Sequence, residues 1–126
     1  MITVLIPGGF KPPHVGHYKF FMHYINNPEV SEVRIFCGER QRKVGDAFAV
    51  SIERAEAVLR LYGIYQAGFL GYFKSFANIV EIQHSYKQEE FVSATEFREA
   101  LAAGKPIDNF IPDHVSEEEI KKIFTN

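Results

Sequence analysis

Residues 2–17 read Ile2-Thr3-Val4-Leu5-Ile6-Pro7-Gly8-Gly9-Phe10-Lys11-Pro12-Pro13-His14-Val15-Gly16-His17, and this stretch decides the fold. The apolar run over 2–6 is short, β-branched and unalternating, as a strand buried on both faces requires. Pro7-Gly8-Gly9 stops it at once. Apolar residues then return at helical spacing, with Phe20, Phe21, Tyr24 and Ile25 on one stripe and His17 one turn earlier. A strand, a tight turn and a helix in immediate succession open an alternating α/β chain.

The alternation continues outward from there. Asn26-Asn27-Pro28 ends the first helix, and 33–37 reads as a second strand stopped at Gly38. A loop rich in charge and glycine spans 39–46. Ser51 can cap a helix whose inner face is Ile52, Ala55, Val58, Leu59 and Tyr62, with Gly63 as its stop. Residues 64–78 carry no clear period, and 69–73 suit either a strand or part of a helix. Residues 79–82 read as a short strand and 93–103 as a helix ended by Gly104. Ser116 with Glu119 has the spacing of a capping box for a last short helix. The expected architecture is α/β, a Rossmann-like three-layer sandwich with a small parallel sheet, in a single domain over 1–126. Ligands of such sheets bind beyond the carboxyl ends of the strands, which is where 8–17 falls.

Bulk composition narrows the function. The chain of 126 residues suits one domain with a real core. Fourteen basic against sixteen acidic residues leave a net charge of −2, which argues against a general nucleic-acid binder. Cys37 is the single cysteine and cannot form an internal disulfide. Five apolar residues at the start, with no basic region before them, are too few for a signal peptide or a membrane span. A cytoplasmic location without membrane contact is expected.

The chemistry sits in 8–17. Gly8 and Gly9 lack Cβ atoms just past a strand, which lets a ligand approach the backbone. Pro12 and Pro13 stiffen the loop and hold the residues before them extended. His14 and His17 are three apart, so both imidazoles lie on one side of a helical first turn. Free backbone N–H groups at that helix start favour an anion. The segment is neither a P-loop nor a Gly-x-Gly-x-x-Gly fingerprint. The same spacing suits two metal ligands, but Cys37, His23, His84 and His114 do not cluster with the pair, which argues against zinc. A purely structural pair is the remaining alternative.

Gly9-Phe10-x-Pro12-x-His14-x-Gly16-His17 resembles the His-x-Gly-His signature of the cytidylyltransferase-like nucleotidyltransferases, and in its opening the short versions encoded by tailed bacteriophages. Val92-Ser93-Ala94-Thr95-Glu96-Phe97-Arg98 is similar to that superfamily's Ile-Ser-x-Thr-x-x-Arg segment. The two motifs bracket 8–98, in the right order.

The resemblance implies that an acceptor phosphate attacks the α-phosphate of ATP or CTP in line and pyrophosphate leaves. His14 and His17 would then hydrogen-bond the triphosphate, with Gly8, Gly9, Phe10 and Gly16 shaping its seat and Ser93, Thr95 and Arg98 holding the outer phosphates. Lys11, where relatives often have Asp or Asn, would add charge near the reacting phosphates. Arg42, Lys43 and Arg54 would receive a small phosphorylated acceptor. Magnesium would travel with the nucleotide, and many members of the superfamily are dimers or larger. The superfamily's strand ending in Gly-x-Asp has no clear counterpart, Gly68-Phe69-Leu70-Gly71-Tyr72 being a poor one. That leaves the base open, and with it the alternative of a nucleotide-binding protein of the same fold without turnover.

Simpler readings stand beside these. Ser93 with Glu96 suffices as a helix cap, Arg98 as a solvated helix residue, and Arg40, Arg42 and Lys43 as a solvated loop. A helix N-terminus disfavours an imidazolium while a triphosphate favours one. His14 and His17 are therefore expected to be neutral when empty near pH 7 and charged only with nucleotide.

Overall fold

The computed structural model describes residues 2–65 and 92–125, together with the backbone of 67–69. Its elements are β1 (Ile2–Gly8), α1 (Val15–Ile25), β2 (Val30–Cys37), β3 (Arg42–Val44), β4 (Phe48–Val50), α2 (Ile52–Leu61), β5 (Ala67–Phe69), α3 (Ala94–Ala103) and α4 (Glu117–Ile123), with a 3₁₀ turn over Asp108–Phe110. The strands β1, β2 and β5 lie in that order and run parallel. The chain is thus α/β with a small parallel sheet. Gly8 pairs with Cys37 and Cys37 with Phe69, so the three strands end on one line. The described loops after β1 and β2 both leave from that edge.

The core explains the apolar stripes. Phe21 of α1, Ile35 of β2, Val58 and Leu59 of α2, Phe97 of α3, Ile107 in the loop after α3, and Ile120 of α4 are all fully buried. Each helix buries one face and leaves its charges outside, as an amphipathic period requires. α2 packs on α4, which brings the chain's end back to its middle.

Three expectations change. The segment 39–46 is not a plain loop: β3 and β4 pair antiparallel, with Arg42 opposite Val50 and Val44 opposite Phe48. Gly45 takes a left-handed φ of 52° in the turn. Strands of three residues carry too little alternation to be seen in sequence. Next, Ser116 stands at the N-cap of α4 but makes no side-chain cap bond. Instead Glu117 reaches back, its Oε1 accepting from Ile107 N at 2.7 Å. Lastly, β2 begins at Val30, three residues before the apolar run that marked it. The strand expected at 79–82 and most of 69–73 lie outside the described residues.

Candidate functional site

The two glycines after β1 do different work. A Cβ on Gly8 would lie 2.5 Å from Phe10 Cζ, because the Phe10 ring folds back over the Gly8 backbone. A Cβ on Gly9 would meet nothing within 4 Å. Only Gly9 keeps the open approach that the sequence suggested for both. Phe10 itself is buried, with its ring edge-on to His17 at 5.0 Å and to Phe21 at 5.1 Å between centroids. It holds a left-handed φ of 52°, a strained conformation for a non-glycine residue. Pro12 and Pro13 are fully buried, and the Lys11–Pro12 peptide is cis.

His14 is the N-cap of α1, and it caps with its ring. Its Nδ1 accepts from Gly16 N at 3.1 Å and from His17 N at 3.3 Å. His17 returns the bond, its Nδ1 accepting from His14 N at 3.1 Å. The two rings stack with centroids 3.7 Å apart and planes 16° from parallel. The result is a capping box made of two imidazoles. The N–H groups of Gly16 and His17 are therefore spent on His14 and are not free for an anion. What each ring still offers is Nε2–H, since a nitrogen that accepts from a backbone N–H cannot carry the proton.

Burial pushes the His14 pKa down to about 4. Burial, and then the charge of His14, push His17 down to about 3. Neutral imidazoles in the empty site agree with expectation, but through desolvation more than through the helix end. The second half of that expectation meets an obstacle. A further proton would have to land on an Nδ1 already engaged as a cap.

The cationic residues gather unevenly. Arg98 Nη1 donates to Lys11 O at 2.6 Å, and its Nη2 donates to Thr95 Oγ1 at 3.2 Å. Arg42 is close enough for its charge to push down the pKa of both Lys11 and Arg98, in each case after the larger effect of burial. α3 packs on β3, which accounts for the proximity. None of the three forms an ion pair within 4 Å among the described residues. Lys43 is the next residue on β3 and points to the opposite face, away from this cluster. Arg54 does not join it either: Nη1 donates to Ala49 O at 2.8 Å and the guanidinium lies 5.9 Å over the Phe124 ring. Ser93 Oγ accepts from Glu96 N at 3.3 Å and serves as the cap of α3.

Lys11 is 3% exposed, and its Nζ donates to Gly9 O at 2.6 Å and to Gly38 O at 2.5 Å. Its ammonium is enclosed by backbone carbonyls.

Two residues escaped the sequence reading. Tyr62, read there as an inner-face residue of α2, donates its hydroxyl to Pro13 O at 2.6 Å and so anchors the histidine turn. His114 Nε2 lies 3.0 Å from Tyr62 O, and the Tyr18 ring packs on both. These contacts span 49 and 52 positions, and no local pattern announces them.

Among the described residues, no group of three or more His, Cys, Asp or Glu is placed to hold a metal ion. No described helix is long and apolar enough to cross a membrane. The chain matches no known family model, and its sequence is not significantly similar to any characterised protein.

Proposed function

We propose that this chain is a nucleotidyltransferase, moving AMP or CMP from a nucleoside triphosphate to a small phosphorylated acceptor with release of pyrophosphate. The observation that carries the reading is a pair of neutral imidazoles with free Nε2–H donors at the start of α1, on the same turn whose Lys11 carbonyl holds the Arg98 guanidinium, at the ends of parallel strands. Arg42 and Arg98, held near one another with no ion pair within 4 Å among the described residues, lower their energy by taking up an anion, and a polyphosphate suits them. In-line transfer needs positioning and charge stabilisation more than covalent help. His14 and His17 donate to oxygens around the α-phosphate. Arg98 and Arg42 take the charge that grows on the departing pyrophosphate.

Magnesium, if it accompanies the triphosphate, would supply charge neutralisation to the phosphates. Among the described residues the site's side chains are imidazole and cationic groups, which fit phosphate and not a divalent cation. The proposal includes a three-layer, Rossmann-like arrangement of the complete domain and a cytoplasmic location, where nucleotides are abundant.

The test is pyrophosphate release with each triphosphate, magnesium and a panel of phosphorylated acceptors. Release that requires one acceptor and disappears in His17→Ala supports transfer. Tight triphosphate binding without release under any acceptor replaces it with a nucleotide-binding protein. Absence of triphosphate binding removes both.

A further inference from the structure

We infer that Lys11 is a positioning residue: its ammonium, committed to the main-chain carbonyls of Gly9 and Gly38, locks the glycine turn to the end of β2 and aims the histidine pair and Arg98 without itself binding phosphate. The catalytic consequence rests on the proposed reaction; the strut does not.

The backbone ladder between β1 and β2 runs out at Gly8 and Cys37, with Gly38 N donating to Gly8 O at 2.8 Å as its last bond. Beyond it the segments after the two strands have no further backbone pairing to each other among the described residues, and Lys11 supplies the link. Its Nζ sits between Gly9 O, just past β1, and Gly38 O, just past β2. Two short charge-assisted bonds from a side chain thus extend the ladder into the loops. A compact ammonium can approach both carbonyls, whereas a planar guanidinium presents a wider fork.

The lock is transmitted in two directions. Phe10 lies between Gly9 and Lys11 with a left-handed backbone that its surroundings must hold, and its ring supports His17. The carbonyl of Lys11 itself receives Arg98. One residue therefore sets the support of the imidazoles and the place of the guanidinium. Swinging the ammonium out to a phosphate would strip both carbonyls, so the charge acts from behind the site.

The experiment uses the intact protein with 15N-labelled lysine and inorganic triphosphate as the probe. The Lys11 ammonium should give a slowly exchanging NMR signal in the empty protein, and the signal should stay in place when triphosphate saturates. In Lys11→Met, kcat should fall on the order of 100-fold while triphosphate affinity falls clearly less, with no rescue by Lys11→Arg. A signal that moves strongly with triphosphate overturns the inference. So does a Lys11→Met variant that binds triphosphate tenfold or more weaker with kcat retained, an estimate at the scale of one lost phosphate contact, roughly 1.4 kcal/mol. If triphosphate does not bind the wild type, the proposed function falls, and the empty-state signal still decides the strut: fast exchange there overturns it.

Discussion

Arg98 and Lys11 stand 87 positions apart, and the guanidinium of one donates to the main-chain carbonyl of the other at 2.6 Å. That bond joins the two motifs physically. The turn after β1 cannot move without moving the start of α3, and the charge on Arg98 is held over the turn that carries the histidines.

Arg98→Lys should therefore behave as a severe change. A lysine reaches either Lys11 O or Thr95 Oγ1 but not both, and loses the planar fork. Triphosphate affinity, read by calorimetry, is expected to fall by 10- to 100-fold, about 1.4–3 kcal/mol. Thr95→Val should cost clearly less. Equal losses would show that the hydroxyl, not the carbonyl bridge, sets the guanidinium.

The glycine pair predicts a dissociation between stability and binding. Gly8→Ala forces a methyl against the Phe10 ring and should lower stability by about 1–3 kcal/mol in urea unfolding. Gly9→Ala meets no protein atom, so its melting temperature should stay close to wild type while triphosphate affinity drops. A Gly9→Ala protein that binds normally would place the ligand elsewhere.

Tyr62→Phe removes the donor to Pro13 O and leaves a buried carbonyl without its partner. A cost of about 1–2 kcal/mol in stability is expected. If the histidine turn also loosens, kcat falls with little change in acceptor KM. Steady-state kinetics beside thermal melts separate the two effects.

Acid should unfold the protein through the histidines. Folding holds the pKa of His14 at about 4 and of His17 at about 3, below the ordinary 6.5, so the unfolded chain binds more protons once pH drops under 6.5. Their contribution is complete above 6.5 and is lost as pH falls toward those folded values, at roughly 1 kcal/mol per pH unit for each ring that titrates. The double variant His14→Asn/His17→Gln should flatten this slope in urea midpoints. Nitrogen NMR should find both rings as Nε2–H tautomers, and still neutral with ATP or CTP. An imidazolium on saturation would mean that nucleotide breaks the caps.

Local signals carried much of the fold because they rest on near neighbours. The run at 33–37, the stripe from Phe20 to Ile25 and the caps Ser51 and Ser93 appear as read. The run at 2–6 is a strand but not one buried on both faces: only Ile6 is buried, Ile2 and Thr3 are exposed, and the strand continues through Pro7 to Gly8. The hairpin of β3 and β4 was invisible, since its strands are too short to show a period. Of the site, His14 pairs with His17, and Lys11, Arg42 and Arg98 come together, while Arg54 turns to Ala49 and Phe124 and Lys43, next to Arg42 on β3, falls on the other face.

The sequence by itself determined that a parallel sheet opens with a glycine turn and that two imidazoles share the first turn of α1. Periodicity and steric rules act over a few residues, and those suffice. Only the tertiary structure decided what each group is free to do. It spent both Nδ1 atoms on the helix cap, enclosed Lys11 between Gly9 O and Gly38 O, and laid Arg98 on Lys11 O. Hydrogen-bond partners and burial come from residues distant in the chain, and they set which donors and charges remain for a ligand.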